Sequence, residues 1–206
     1  MNALSRILTK KIIAIIRGAE PGDVLQIADA LKQGGVDILE VTLNSASALS
    51  VIDELVRKFG GEMLIGAGTV LDSETAKAVI ELGAKFIVSP NVDVQTIRAT
   101  KANGAVSIPG AFTATEIVNA YSSGGDIIKI FPASSAEYIK VLRGPLSHVP
   151  MMPTGGITLE NISEFKSAGA AAFGIGTSLV DTKKKITKDY LKQVTGNAIK
   201  FTQAIS

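Results

Sequence analysis

Eight short apolar runs of β-forming residues recur along the chain: Ile12 to Ile16, Ile38 to Leu43, Met63 to Ala67, Phe86 to Ser89, Val106 to Pro109, Ile127 to Phe131, Met151 to Pro153 and Ala171 to Ile175. They begin about 20 to 26 residues apart. The intervening segments show helical spacing, as in Val24, Ile27, Ala28, Leu31 and in Ala76, Val79, Ile80. The order is strand, helix, strand, repeated. The strands are continuously apolar rather than alternating, as expected of a parallel sheet covered on both faces.

A second regularity marks the junctions. Gly34-Gly35, Gly83, Gly104, Gly124-Gly125 and Gly169 each stand just before a run, where a helix ending in a left-handed residue favours glycine. Helix starts are signalled by Asp72 with Glu74, by Thr113 with Glu116 as S/T-x-x-E, and by Thr158 with Glu160, whose side-chain oxygens can cap free backbone N–H groups. Eight such units, preceded by a short helix near Ala3 to Thr9, predict a (β/α)8 TIM barrel, with an open doubly wound sheet as the alternative. No linker divides the chain, so residues 1–206 read as one barrel domain. GAGTVL at 66–71 begins like a dinucleotide fingerprint, but the third glycine of that pattern would fall at Leu71.

Composition narrows the partners. The formal charge is only +2, too small for a dedicated nucleic-acid or anionic-membrane surface, and 46% of the residues are hydrophobic against 19% charged. Cysteine is absent, which removes disulfides, thiolate nucleophiles and zinc-thiolate sites and favours a reducing cytoplasm. His148 is the only histidine, so a histidine-clustered metal site is impossible. The N-terminal segment lacks the apolar core of a signal peptide, and no run approaches the roughly 20 apolar residues of a membrane span. The run Lys183 to Lys185, with Lys188 nearby, could grip a phosphate or a partner, but its ordinary role is a solvated loop and helix start.

Catalytic groups of a barrel sit at the C-terminal ends of its strands. Three ionisable residues interrupt or close such strands: Lys129 within IIKIF, Glu40 within ILEVT, and Arg17 after IIAII. A charge among apolar groups loses hydration worth several kcal/mol unless paired or neutralised. Lys129 therefore either forms a buried ion pair with Glu40 or is held as a free amine by desolvation and a nearby cation such as Arg17. The second case allows attack on a carbonyl. Glu40 is then placed to move protons. The Arg17 guanidinium offers a planar fork matching a carboxylate. Thr69 and Thr154, at strand ends, can hydrogen-bond a carboxylate or hydroxyl, or cap local backbone. The turns Thr154-Gly155-Gly156-Ile157 and Gly174-Ile175-Gly176-Thr177-Ser178 follow strands seven and eight, where barrels commonly bind phosphate.

The runs IIAIIR (12–17), LEVTLNS (39–45), GAGTVL (66–71), IVSPN (87–91), IPG (108–110), TATE (113–116), KIFPAS (129–134), PTGGI (153–157) and GIGTSL (174–179) resemble, in order, the Schiff-base aldolases of 2-keto-3-deoxy-6-phosphogluconate. That family also includes 4-hydroxy-2-oxoglutarate aldolases and 6-phosphogalactonate variants. The resemblance covers almost the whole chain. It implies Lys129 as Schiff-base former, Glu40 as general acid/base, Arg17 and Thr69 at the pyruvate-like carboxylate, and Gly156, Gly176 and Thr177 at the phosphate. Pro90, Phe131, Thr154 and Gly155 join the substrate-binding set. It further implies a homotrimer, a phosphorylated 2-oxo acid sugar as substrate, and no metal or other cofactor. Many phosphogluconate-type members carry Arg at the position of Asn44, and LNS together with Arg17 is closer to the phosphogalactonate type. A phosphate-binding isomerase or epimerase with Glu40 as carbon base, or a sugar-phosphate sensor, would keep the same turns without needing an imine.

Overall fold

The computed structural model describes residues 2–206. A leading helix, α1 (Ala3–Lys10), precedes β1 (Ile12–Ile16), α2 (Pro21–Gln33), β2 (Ile38–Thr42), α3 (Ala48–Phe59), β3 (Leu64–Gly68), α4 (Ser73–Glu81), β4 (Phe86–Val88) and α5 (Val94–Ala102). The second half continues with β5 (Val106–Ile108), β6 (Gly110–Ala111), α6 (Ala114–Ser122), β7 (Ile128–Ile130), α7 (Ala136–Arg143), β8 (Met151–Pro153), α8 (Ile162–Ser167), β9 (Phe173–Ile175) and α9 (Lys188–Ile205). Each of the eight expected runs contains a strand.

Six strands pair in parallel in the order β5-β4-β3-β2-β1-β9, and three more in the order β6-β7-β8. Two seams join these sheets. At one, β5 and β6 are two pieces of a single run broken at Pro109, which has no N–H to give to a ladder. Ladder-like bonds bridge the break, from the Lys129 N–H to the Pro109 carbonyl (2.9 Å) and from the Asp126 N–H to that of Ser107 (2.9 Å). At the other, Thr154 bridges Gly174 and the Ala171 N–H donates to the Met151 carbonyl (2.8 Å). The strands thus close into a TIM-like (β/α)8 barrel.

Side chains alternate across each strand, so a closed barrel has two cores. Ile12, Ala14, Ile16, Leu39, Val41, Ile65, Ala67, Ile128 and Ile130 pack outward against the helices. Ile13, Ile38, Leu64, Phe86, Val106, Ile127, Met152 and Ala172 pack inward as a separate floor. The continuous apolar character of the strands follows from this double burial. α1 plugs the floor from below: Ile7 is fully buried against it, flanked by Ala3, Leu4 and Leu8. Arg6 secures the plug through Asp37 (2.7 Å) at the start of β2.

The predicted helix punctuation is present, with one correction. Gly35, Gly83, Gly104, Gly124 and Gly169 all have positive φ, the conformation that penalises a Cβ. Asp72 accepts from the Thr75 N–H (2.7 Å), and Thr113 with Glu116 forms a full capping box. Thr158 does not cap a helix. Its N–H donates to Asn161 Oδ1, and α8 begins only at Ile162. Residues 158–161 instead form a turn braced by the Asn161 amide, which also donates to the Gly156 carbonyl (2.8 Å).

Candidate active site

The alternation that builds the floor also builds the layer above it. Two residues beyond Ile38 on the inner face stands Glu40, and two beyond Ile127 stands Lys129. Glu40 pairs in register with Ile15 of β1 and Gly66 of β3, and Lys129 with Gly110 and Met152. Lys129 is 4% exposed and Glu40 1%. In this layer glycine takes the inner positions of β3 and β9, and neighbouring side chains fill the room it leaves. A Cβ on Gly68 would overlap Oε1 of Glu40, and one on Gly174 would overlap Oγ1 of Thr154. Gly66 likewise makes room for the Phe86 ring below.

The expected alternative of a buried Lys129–Glu40 ion pair is not what the geometry displays. Neither oxygen of Glu40 has a hydrogen-bond partner. Burial pushes the Glu40 carboxyl above its ordinary range, against the pull of the Lys129 and Arg17 charges. Burial pushes the Lys129 ammonium below its ordinary range, Glu40 acts in the opposite direction, and Arg17 lowers it further. Both shifts run toward the uncharged forms. The Phe131 ring, its centroid 4.9 Å from Lys129 Nζ, covers the lysine on the solvent side.

Beyond the Phe131 ring that Lys129 approaches lies a cavity of about 540 Å3, within the usual range for a small-molecule site. Arg17, Phe131, Thr154, Gly155, Gly156, Gly176 and Thr177 all line it, together with Lys183. Its two glycine turns brace each other, since the Ser178 hydroxyl donates to the Ile157 carbonyl. Gly155 and Gly156 both have positive φ. The Gly156 and Thr177 N–H groups donate to no acceptor among the described residues. Unengaged amides at successive turns, with two cations on the same wall, suit a bound anion.

Four expected members of the site do not line this cavity: Lys129 and Glu40 are held in the barrel interior, and Thr69 and Pro90 stand elsewhere. Thr69 does not share the cavity of Arg17. It lines an adjacent open cleft with Leu43, Asn44, Leu49 and Leu71. Its φ of 57° places a β-branched residue in the left-handed region, at a cost of about 1–3 kcal/mol. Pro90 reaches neither cavity wall. Its backbone lies against Gly110, where a Cβ would collide with it. Sequence reasoning missed Gly68 as the socket of Glu40, although it stands within the GAGT run. Of the two readings of the Lys183 run, a solvated loop or a grip on phosphate, Lys183 is exposed and also stands on the cavity wall.

Known proteins carry the same arrangement. The family model described as KDPG and KHG aldolase matches residues 4–196. The 2-dehydro-3-deoxy-6-phosphogalactonate aldolase of Escherichia coli (strain K12) is 38% identical over 171 residues, covering 82% of this chain and 83% of its own. A native KDPGal structure superposes with a TM-score of 0.88 at 35% identity, covering 94% of this chain and 93% of that one. The KDPG aldolase of Legionella pneumophila, crystallised with pyruvate captured as a covalent carbinolamine, superposes with a TM-score of 0.79 at 28% identity, covering 100% and 97%. With the family model spanning nearly the whole barrel and every strand-end run in its place, the chain belongs to the KDPG and KHG aldolase family.

Proposed function

We propose that this protein is a class I aldolase that cleaves a phosphorylated 2-keto-3-deoxy sugar acid to pyruvate and glyceraldehyde 3-phosphate through an imine on Lys129. It would also take 4-hydroxy-2-oxoglutarate, giving pyruvate and glyoxylate. The observation that carries the reading is a buried lysine, displaced toward its free-amine form, in a barrel layer it shares with an unpartnered carboxyl.

The chemistry follows from that pair. The Lys129 amine attacks the C2 carbonyl, and Glu40 protonates the departing oxygen, so carbinolamine loses water to give the protonated imine. Glu40, now ionised, removes the C4 hydroxyl proton, directly or through one water. The C3–C4 bond breaks, its electron pair enters the imine as an enamine, and the aldehyde leaves. Protonation at C3 and hydrolysis then release pyruvate and the amine. The imine is the electron sink, so the reaction requires no metal. Arg17 anchors the carboxylate, and the Gly155-Gly156 and Gly176-Thr177 turns hold the phosphate, so that binding energy far from the broken bond orients it. Thr69 and Pro90 would act from the neighbouring loops.

Arg17 together with Asn44 favours the galactonate epimer as the better phosphorylated substrate, in line with the 38% identity to a phosphogalactonate aldolase. We also read the chain as a single-domain cytoplasmic enzyme, working as a homotrimer. Among the described residues no helix is long and apolar enough to cross a membrane. Leu49 and Leu71, 47% and 58% exposed, share the open cleft beside the barrel mouth and offer an apolar face for subunit contact. The test is direct assay of both phosphorylated epimers, with and without EDTA. Pyruvate release from the galactonate epimer at the higher kcat/KM, unaffected by chelator, is expected. No pyruvate from either epimer, or activity lost to EDTA and restored by a divalent ion, would overturn the reading.

A further inference from the structure

The Arg17 guanidinium makes no ion pair among the described residues, so its aim depends on the backbone that carries it. That backbone is gripped from two sides. The Thr182 hydroxyl donates to the Arg17 carbonyl (2.6 Å), and the Gly18 N–H donates to Ser45 Oγ (2.8 Å). The Arg17 carbonyl and the Gly18 N–H belong to one planar peptide unit, so bonds at its opposite edges fix its rotation. Ser45 is in turn 3.1 Å from Thr42 Oγ1, which donates to the Ile16 carbonyl.

Thr182 is itself firmly held. The hydroxyl of Tyr190, buried on α9, accepts from the Asp181 N–H (2.7 Å) and donates to the Asp181 carbonyl (3.0 Å). The Lys183 N–H donates to the Asp181 carboxylate (3.1 Å), closing the turn around Thr182. This turn lines the same cavity as Arg17 and the glycine turns.

We propose that Thr182 is a positioning residue that aims Arg17 at the substrate carboxylate, with Tyr190 as its fixed base. The proposal rests on Arg17 being the carboxylate anchor. It makes the loop after β9 serve both ends of the substrate: Thr177 and Gly176 face the phosphate end, and Thr182, five residues past Thr177, sets the carboxylate end.

Pyruvate isolates the effect, because it has a carboxylate and no phosphate, so a defect in phosphate binding is invisible to it. Half-saturating pyruvate is read from borohydride trapping. Thr182→Val keeps the side-chain volume and deletes the hydroxyl. It should raise half-saturating pyruvate by about 5- to 20-fold, with a much smaller drop in trapping rate at saturation. Thr182→Ser, which keeps the hydroxyl, should return to within about 2- to 3-fold of the parent. In an Arg17→Ala background Thr182→Val should add nothing, since the residue it positions is gone. Tyr190→Phe offers a second route, loosening the same turn in the same direction. A full additional increase in the Arg17→Ala background would overturn the proposal, as would parental half-saturation in both Thr182→Val and Tyr190→Phe while Arg17→Ala raises it. An unchanged half-saturation in Arg17→Ala itself removes the anchor reading, and the proposal with it.

Discussion

The floor of the barrel and the layer above it are built by the same strands, two residues apart, yet they have opposite contents. In the floor, Ile38, Leu64, Phe86, Ile127 and Met152 meet Ile7 of the plug and leave nothing polar. One step up, those strands present Glu40, Gly66, Lys129 and Thr154 beside the apolar Val88, with Gly68 and Gly174 withholding side chains where bulk would collide with Glu40 and Thr154. A barrel interior is filled by default. The reactive layer is made by omission as much as by placement, and stability and chemistry should therefore separate by height along a single strand.

The largest effect should come from the upper layer. Lys129→Arg keeps a cation but cannot form an imine, so turnover should fall by at least about 10⁴-fold while circular dichroism stays native. Retained turnover in the folded variant would break the distinction between the layers. Next is Glu40→Gln, which keeps volume and loses proton exchange. Turnover should drop by about 10²- to 10⁴-fold while pyruvate can still be trapped, more slowly. Turnover within a few-fold of the parent would make Glu40 a structural carboxyl.

Gly68→Ala tests the socket of Glu40. Its added methyl must displace the Glu40 carboxyl, and we expect turnover to fall by about 10²-fold. The pH profile should change too. Burial is what raises the Glu40 pKa, so a carboxyl pushed toward the mouth should titrate at lower pH than in the parent. An unchanged activity and profile would show that the socket is incidental. The smallest effect on turnover belongs to the floor. Ile7→Ala should cost about 2–5 kcal/mol in chemical denaturation, yet leave kcat near that of the parent once folded. A loss of kcat rivalling that of Gly68→Ala would mean that the layers are not independent.

Much of this was legible from spacing and residue type. The eight runs, the glycine junctions, and Lys129 and Glu40 as polar interruptions each follow from local rules that the fold does not override. What escaped depends on contacts across the barrel. The split of one run at Pro109 arises because proline lacks an N–H for the ladder. The late start of α8, at Ile162, accompanies a turn in which Asn161 accepts from the Thr158 N–H and donates to the Gly156 carbonyl, contacts that residue type alone does not reveal. Gly68 stands in the GAGTVL run without a role of its own, because it pairs in register with Thr42 and only the path of the Glu40 side chain brings that carboxyl against it. Arg17 and Thr69 were grouped by chemistry, but strand-end loops diverge, and the two residues line different cavities. Thr182 acts on Arg17 across 165 positions of sequence, beyond any local pattern.

The central claim is that Lys129 is a free amine able to take a 2-oxo acid as an imine, and borohydride reduction in the presence of pyruvate tests it most directly. Trapping should place one reduced pyruvyl adduct on Lys129, located by peptide mass mapping, and none on any other lysine. Protonation quenches the nucleophile, so the trapping rate should rise with pH through a midpoint below the ordinary lysine range. An adduct on another residue, no adduct at all, or a midpoint at the ordinary lysine value would contradict the account.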